Sequence, residues 1–164
     1  MRQAGRYLAS YRALRRNYPS FLDFCYHPKA SAEATIQPLR QFDFDAAIHF
    51  SDILVIADSL MRGLEYTGEG PKLCPLTVEE PAMLLADFNL EQQKKHLQAV
   101  YASQELICQS LPKNKVLIGF AGAPWTLCCY MIDGSGGAFQ RTRSWAEDHQ
   151  SSIDQLMELL VSAV

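Results

Sequence analysis

Two short apolar runs constrain this chain more than any other feature. They are Ala46-Ala47-Ile48-His49-Phe50, closed by Ser51-Asp52, and Val116-Leu117-Ile118-Gly119-Phe120, closed by Ala121-Gly122-Ala123-Pro124. Each is nearly continuous in apolar residues, the pattern of a parallel strand buried on both faces. Between them Leu97, Val100, Tyr101, Ile107, Cys108 and Leu111 recur at three- and four-residue spacing until Pro112 stops the pattern, which predicts a long amphipathic helix. Strand, helix and strand in that order need a right-handed crossover, so the chain is expected to be α/β with parallel strands.

The remaining punctuation fits around that unit. Leu60 to Pro75, with Gly63, Gly68, Gly70, Pro71 and Pro75, predicts a surface loop. Thr77 and Glu80 have capping-box spacing and mark a helix start, against which Pro81 counts. Pro124-Trp125-Thr126 reads as another start. Ile153, Leu156, Met157, Leu160, Val161 and Val164 form a helical stripe that runs to the last residue with no glycine cap, basic last turn or following proline. Arg2 would be weakly anchored if nothing preceded Met1. The expectation is a chain truncated at both ends.

Composition excludes several functions. With 164 residues, 48% of them hydrophobic and 20% charged, the chain can bury a sizeable core. A net charge of -3 leaves no electrostatic footprint for nucleic acid. No apolar stretch approaches the roughly 20 residues of a membrane span, and the first residues are not a signal-peptide core, so a cytoplasmic address follows by default. Cys25, Cys74, Cys108, Cys128 and Cys129 make no CxxC pair and are expected as reduced, mostly buried thiols. Cys25 with His27 lacks the further ligands that a metal site needs.

Three segments carry possible chemistry. Met1-Arg2-Gln3-Ala4-Gly5-Arg6 puts two arginines four residues apart, hence on one helical face, where each guanidinium could grip a carboxylate with a bidentate fork. Gln3 adds an amide, and Gly5 lets a ligand approach the backbone. A solvated arginine pair is the commoner outcome for such a run. Phe50-Ser51-Asp52-Ile53-Leu54 places a carboxylate just beyond a strand, either as a functional acid or as the cap of a helix opening at Ile53. In the third segment, Gly119-Phe120-Ala121-Gly122-Ala123-Pro124-Trp125-Thr126-Leu127, small residues leave room for a flat ligand. Downstream, Tyr130 could aim a phenol at that space, although a packed tyrosine is the usual alternative. Neither GxGxxG nor GxxxxGK[ST] occurs, which disfavours nucleotide binding.

In order and spacing, MRQAGRYL, FSDIL and GFAGAPWTL with a downstream tyrosine resemble the uroporphyrinogen decarboxylase family over essentially the whole chain. The resemblance implies a TIM-type (β/α) barrel, of which residues 1–164 would be the N-terminal portion of a single domain. It implies removal of carbon dioxide from the acetate side chains of uroporphyrinogen III to give coproporphyrinogen III, with no metal or organic cofactor, in a homodimeric complete enzyme. Arg2, Gln3, Ala4, Gly5 and Arg6 would then surround and hold substrate carboxylates, with an arginine also orienting the departing carboxylate or helping to deliver the proton. Asp52 would accept hydrogen bonds from the pyrrole N–H groups and stabilise a cationic intermediate, and Tyr130 would bind a carboxylate or assist proton placement. Departures from the family pattern are Ala9 and Ala57 in place of prolines and His49 in place of an aliphatic residue. His49 is read as a partly buried strand histidine in preference to a neighbour that tunes Asp52. The serine and histidine that the family's later half supplies cannot lie in this chain. Two other readings stand beside this one: a relative of the corrinoid-dependent or coenzyme M methyltransferases, and a non-catalytic half barrel that pairs with another chain.

Overall fold

In the computed structural model of this chain, which describes residues 7–164, the two apolar runs pair in parallel, with Ala46, Ala47 and Ile48 opposite Val116, Leu117 and Ile118. In chain order the elements are α1 (Ala9–Arg15), α2 (Phe21–Cys25), α3 (Pro28–Gln41), β1 (Ala46–Ile48), α4 (Val55–Ser59), β2 (Glu65–Thr67) and β3 (Gly70–Lys72). They continue with α5 (Glu80–Ala86), α6 (Leu90–His96), α7 (Gln98–Ser110), β4 (Val116–Ile118), α8 (Pro124–Asp133), α9 (Gln140–Asp148) and α10 (Gln150–Ala163). The described residues up to Asp52 form one compact unit with Leu97–Phe120, and Ile53–His96 form a second with Ala121–Val164.

In the first unit the predicted crossover helix is α7, which packs on α3. Ala47 and Leu117 share one face of the β1–β4 pair; Ala47 is fully buried, and Leu117 packs on Ala32, Ile36 and Ile107. Val116 and Ile118 point to the other face and are 62% and 46% exposed, so the expectation of two-sided burial fails for β4. The cause is that β1 is its only strand neighbour among the described residues, while α3 and α7 cover one face. The inward stripe of α7 also differs from the one expected. It runs through Leu97, Ser103 and Ile107, while Tyr101 and Cys108 are exposed. A serine on the buried side is invisible to a hydrophobic count.

The short α2 is stable in context because Ser20 and Asp23 form a reciprocal capping box. It delivers Phe24 to an aromatic cluster with Tyr11 and Phe50, whose ring centroids lie 5.7 and 4.9 Å from that of Phe24. His27 caps α3, its Nδ1 accepting the Ala30 N–H at 3.3 Å, and so has a structural partner of its own.

In the second unit α8 starts at Pro124 as predicted, and α10 buries Ile153, Leu156 and Leu160. Leu159 joins them, whereas Val161 is 67% exposed. Glu80 opens α5 and accepts the Thr77 N–H at 2.6 Å, and Pro81 sits in the first helical turn, where its missing N–H costs nothing. The segment expected as a surface loop holds the antiparallel β2–β3 hairpin, in register Glu65↔Lys72, Tyr66↔Pro71 and Thr67↔Gly70. Pro71 is tolerated there because the ladder is only two strands wide. Leu64, Leu73 and Leu76 are buried, and Arg62 ties the segment together by donating to Glu80 at 3.0 Å and to the Cys74 carbonyl at 2.8 Å. All five cysteines are free; Cys25, Cys128 and Cys129 are buried, and Cys74 and Cys108 are exposed.

Candidate active site

Asp52 belongs to the first unit, and the residues before it are held unusually well. The ladder ends where the His49 N–H donates to the Ile118 carbonyl at 3.0 Å. Phe50 is beyond the ladder, yet both of its peptide groups are satisfied by side chains of α3. Its N–H donates to Thr35 Oγ1 at 2.8 Å, and its carbonyl accepts from Ser31 Oγ at 2.5 Å. Ser103 Oγ on α7 donates to Ser31 Oγ at 2.8 Å, and His49 Nε2 lies 3.1 Å from Ser103 Oγ. A hydroxyl has one proton to give, and those of Ser103 and Ser31 are already committed down the chain. His49 must therefore be the donor, which fixes the neutral ring as the Nε2–H tautomer. Donation runs one way, from His49 through Ser103 and Ser31 to the Phe50 carbonyl.

This settles the place of His49 as a buried strand histidine whose ring serves Ser103. Burial lowers its pKa from the ordinary value near 6.5. The unfolded chain therefore binds this proton more readily than the folded one. The stability involved is complete above pH 6.5 and is lost as pH falls below it towards the folded-state value. Urea midpoints measured at pH 7 and pH 5 are expected to fall further for the native sequence than for His49→Leu. Equal falls would mean that His49 does not contribute to the acid sensitivity.

Asp52 itself is half-buried. Burial pushes the neighbouring Cys25 thiol up to about 12, and the negative charge of Asp52 adds to the rise, so Cys25 stays protonated. α4 begins at Val55, with Leu54 at its cap position. The hydroxyl oxygen of Ser51, next to Asp52, is buried and without a hydrogen-bond partner among the described residues.

Tyr130 belongs to the second unit, half-buried on α8. The glycine-rich loop after α8 folds back over it. A methyl group at Gly136 would stand 3.1 Å from the Tyr130 hydroxyl oxygen, and the Phe139 ring meets the phenol edge-on at 5.6 Å. Phe139 takes a left-handed conformation, φ 51°, uncommon for a residue with a side chain. The loop is closed by Asp133, which accepts the N–H groups of Arg141 and Thr142 at 3.2 and 3.0 Å and the Thr142 hydroxyl at 2.6 Å, so it caps α9 from outside that helix. Asp133 and residues 135–140 line a concavity of about 220 Å³.

Arg2, Gln3, Ala4, Gly5 and Arg6, the other residues singled out from the sequence, lie outside the described residues. Ser31, Thr35 and Ser103 were not singled out. Their only local signal is that Ser31 and Thr35 stand one turn apart among the alanines and Ile36 of α3. Among the described residues no group of three or more His, Cys, Asp or Glu side chains could hold a metal ion, and no helix is long and apolar enough to cross a membrane.

A family model described as uroporphyrinogen decarboxylase matches residues 1–164. A protein named uroporphyrinogen decarboxylase from Rhodospirillum rubrum is 44% identical over 99% of this chain and 47% of its own length. One of the same name from Jannaschia sp. is 43% identical over 99% of this chain and 48% of its own length. Another from Sphingopyxis alaskensis is 48% identical over 85% of this chain and 40% of its own length. The chain thus spans about half the length of the curated relatives it matches.

Proposed function

Since this chain belongs to the uroporphyrinogen decarboxylase family, we propose that it supplies one part of a site in which the acetate side chains of uroporphyrinogen III lose carbon dioxide to give coproporphyrinogen III. The observation that carries the reading is a match to the family over the whole chain that includes Asp52 on a strand end pinned from two helices. The parallel β1–β4 pair with its crossover through α7 fits a portion of a TIM-type barrel, and both compact units would belong to that one domain. The resemblance brings with it a cytoplasmic, homodimeric enzyme that needs no metal or organic cofactor.

The chemistry explains that independence. A proton added to an electron-rich pyrrole makes a cationic ring, and the electron pair released when the carbon–carboxylate bond breaks flows into it. The substrate is its own electron sink, and the protein has to bind, deliver protons and balance charge. Arg2 and Arg6 would hold substrate carboxylates, since a guanidinium fork fits a carboxylate better than any other side chain. Asp52 would take the pyrrole N–H groups and offset the cationic ring. Tyr130 would bind a carboxylate or place a proton, and its glycine-walled loop leaves its hydroxyl edge unobstructed by side chains at Gly136.

The test is direct. The full-length protein carrying this chain is expected to convert uroporphyrinogen to coproporphyrinogen under anaerobic conditions, with product followed as the oxidised porphyrin by chromatography, and the purified 164-residue chain is expected to yield none. Absence of product from the full-length protein would count against the reading, and product from the chain alone would show that the family's later half is dispensable.

A further inference from the structure

We propose that Ser31 and Thr35 are positioning residues for Asp52: a two-point clamp from one turn of α3 that sets where the strand end presents its carboxylate. The inference rests on the decarboxylase reading above. A peptide that follows the last ladder bond of a strand would ordinarily be left to water. Here the two peptide groups that flank the Phe50 Cα are instead each taken by a hydroxyl, Thr35 on the N–H side and Ser31 on the carbonyl side, both on residues only 1% exposed. Thr35 Oγ1 accepts the Phe50 N–H while donating to the Ser31 carbonyl at 2.9 Å, so its proton is committed and its orientation is fixed. Ser31 Oγ is fixed in turn by Ser103, and Ser103 by His49.

Buried hydroxyls on the apolar side of a helix are costly unless each is bonded, and here all three bond within one connected chain. That chain converges on a single residue, Phe50. The Phe50 ring adds a third restraint through Phe24 and Tyr11, at centroid distances of 4.9 and 5.8 Å. Only Ser51 separates Phe50 from Asp52, so the reach of the carboxylate is inherited from the clamp. A network serving packing alone could equally have been apolar.

The experiment uses the full-length protein. Thr35→Val keeps the shape and removes the hydroxyl, and Thr35→Ser keeps the hydroxyl. Thr35→Val is expected to lower kcat by at least roughly tenfold with KM within about threefold of the native value, because misplacement of a reacting group acts on the chemical step. Thr35→Ser is expected to stay within about threefold of the native kcat. Ser31→Ala is expected to show the same split, and carries the test if Thr35→Val gives no soluble protein. Native kcat in Thr35→Val and Ser31→Ala overturns the clamp, as does an equal loss in Thr35→Val and Thr35→Ser, which would point to the methyl group and packing. Asp52→Asn run beside them separates the two failures. If it leaves turnover intact, the decarboxylase reading of Asp52 falls and the clamp with it; if it abolishes turnover while the α3 variants keep theirs, the clamp alone falls.

Discussion

In the full-length protein, Asp52→Asn is expected to lower kcat by roughly a hundredfold or more while leaving substrate affinity within a few fold, the range found when a preorganised electrostatic partner of a transition state is removed. Asparagine has the shape of aspartate and can still accept a hydrogen bond through its carbonyl oxygen, so a substrate N–H would keep a partner in the ground state. What it loses is the negative charge, which matters most when the pyrrole is protonated. An interaction stronger in the transition state than in the ground state appears in kcat and not in KM. The outcome also depends on the side chain staying where it is. The Phe50 N–H is bonded to Thr35 and the Phe50 carbonyl to Ser31, and neither bond involves the Asp52 side chain, so the substitution should not shift the strand end. Rates of coproporphyrinogen formation, with binding of substrate measured separately, decide the matter. Unchanged turnover would remove Asp52 from the mechanism.

Asp52 was legible as a candidate because its signal is local: an apolar run predicts a strand, and an acid directly after it lands at the strand's carboxyl end. The parallel pairing of β1 with β4 was legible for a similar reason, since a helix of the right length separates the two runs. The clamp was not. Its bonds join residues 15, 19 and 72 positions apart, and nothing in the local pattern around Ser31 or Ser103 separates a hydroxyl turned inward from one turned to water. The same blindness displaced the stripe of α7 towards Tyr101 and Cys108 and away from Ser103. Where glycine and proline crowd together, the bias went the other way. Gly68, Gly70 and Pro71 announce turns strongly enough to hide a hairpin whose strands are three residues each. Two-sided burial of β4 was misjudged because an apolar strand signals that something must cover it, without signalling that the cover lies among these residues. The arginine motif that most strengthened the family resemblance lies outside the described residues.

Gly134→Ala is expected to destabilise the protein by about 2–4 kcal/mol, combining a left-handed backbone that alanine adopts at a cost of roughly 1–2 kcal/mol with a steric conflict of similar size. Gly134 ends α8 at φ 78°, where its N–H closes the helix onto the Tyr130 carbonyl at 2.8 Å. A Cβ there would stand 2.6 Å from Pro75 Cγ and 3.0 Å from the Leu73 carbonyl oxygen. The proline ring cannot rotate away. Nor can the Leu73 backbone withdraw freely, because its N–H donates to the Gly134 carbonyl at 2.8 Å. Relief would have to come from the loop that carries Gly136 and Phe139 over Tyr130, so loss of stability and disturbance of the tyrosine are expected together. Gly68→Ala is the matched control. It lies in the hairpin turn of the same unit, a Cβ there meets nothing within 4 Å, and its change is expected to stay within about 0.5 kcal/mol. Thermal melts of the two variants should therefore separate by roughly 5–15 °C for a domain of this size. Coincident melting temperatures would show that the segment around Pro75 yields easily, and that the close approach at the end of α8 does not hold the tyrosine loop in place.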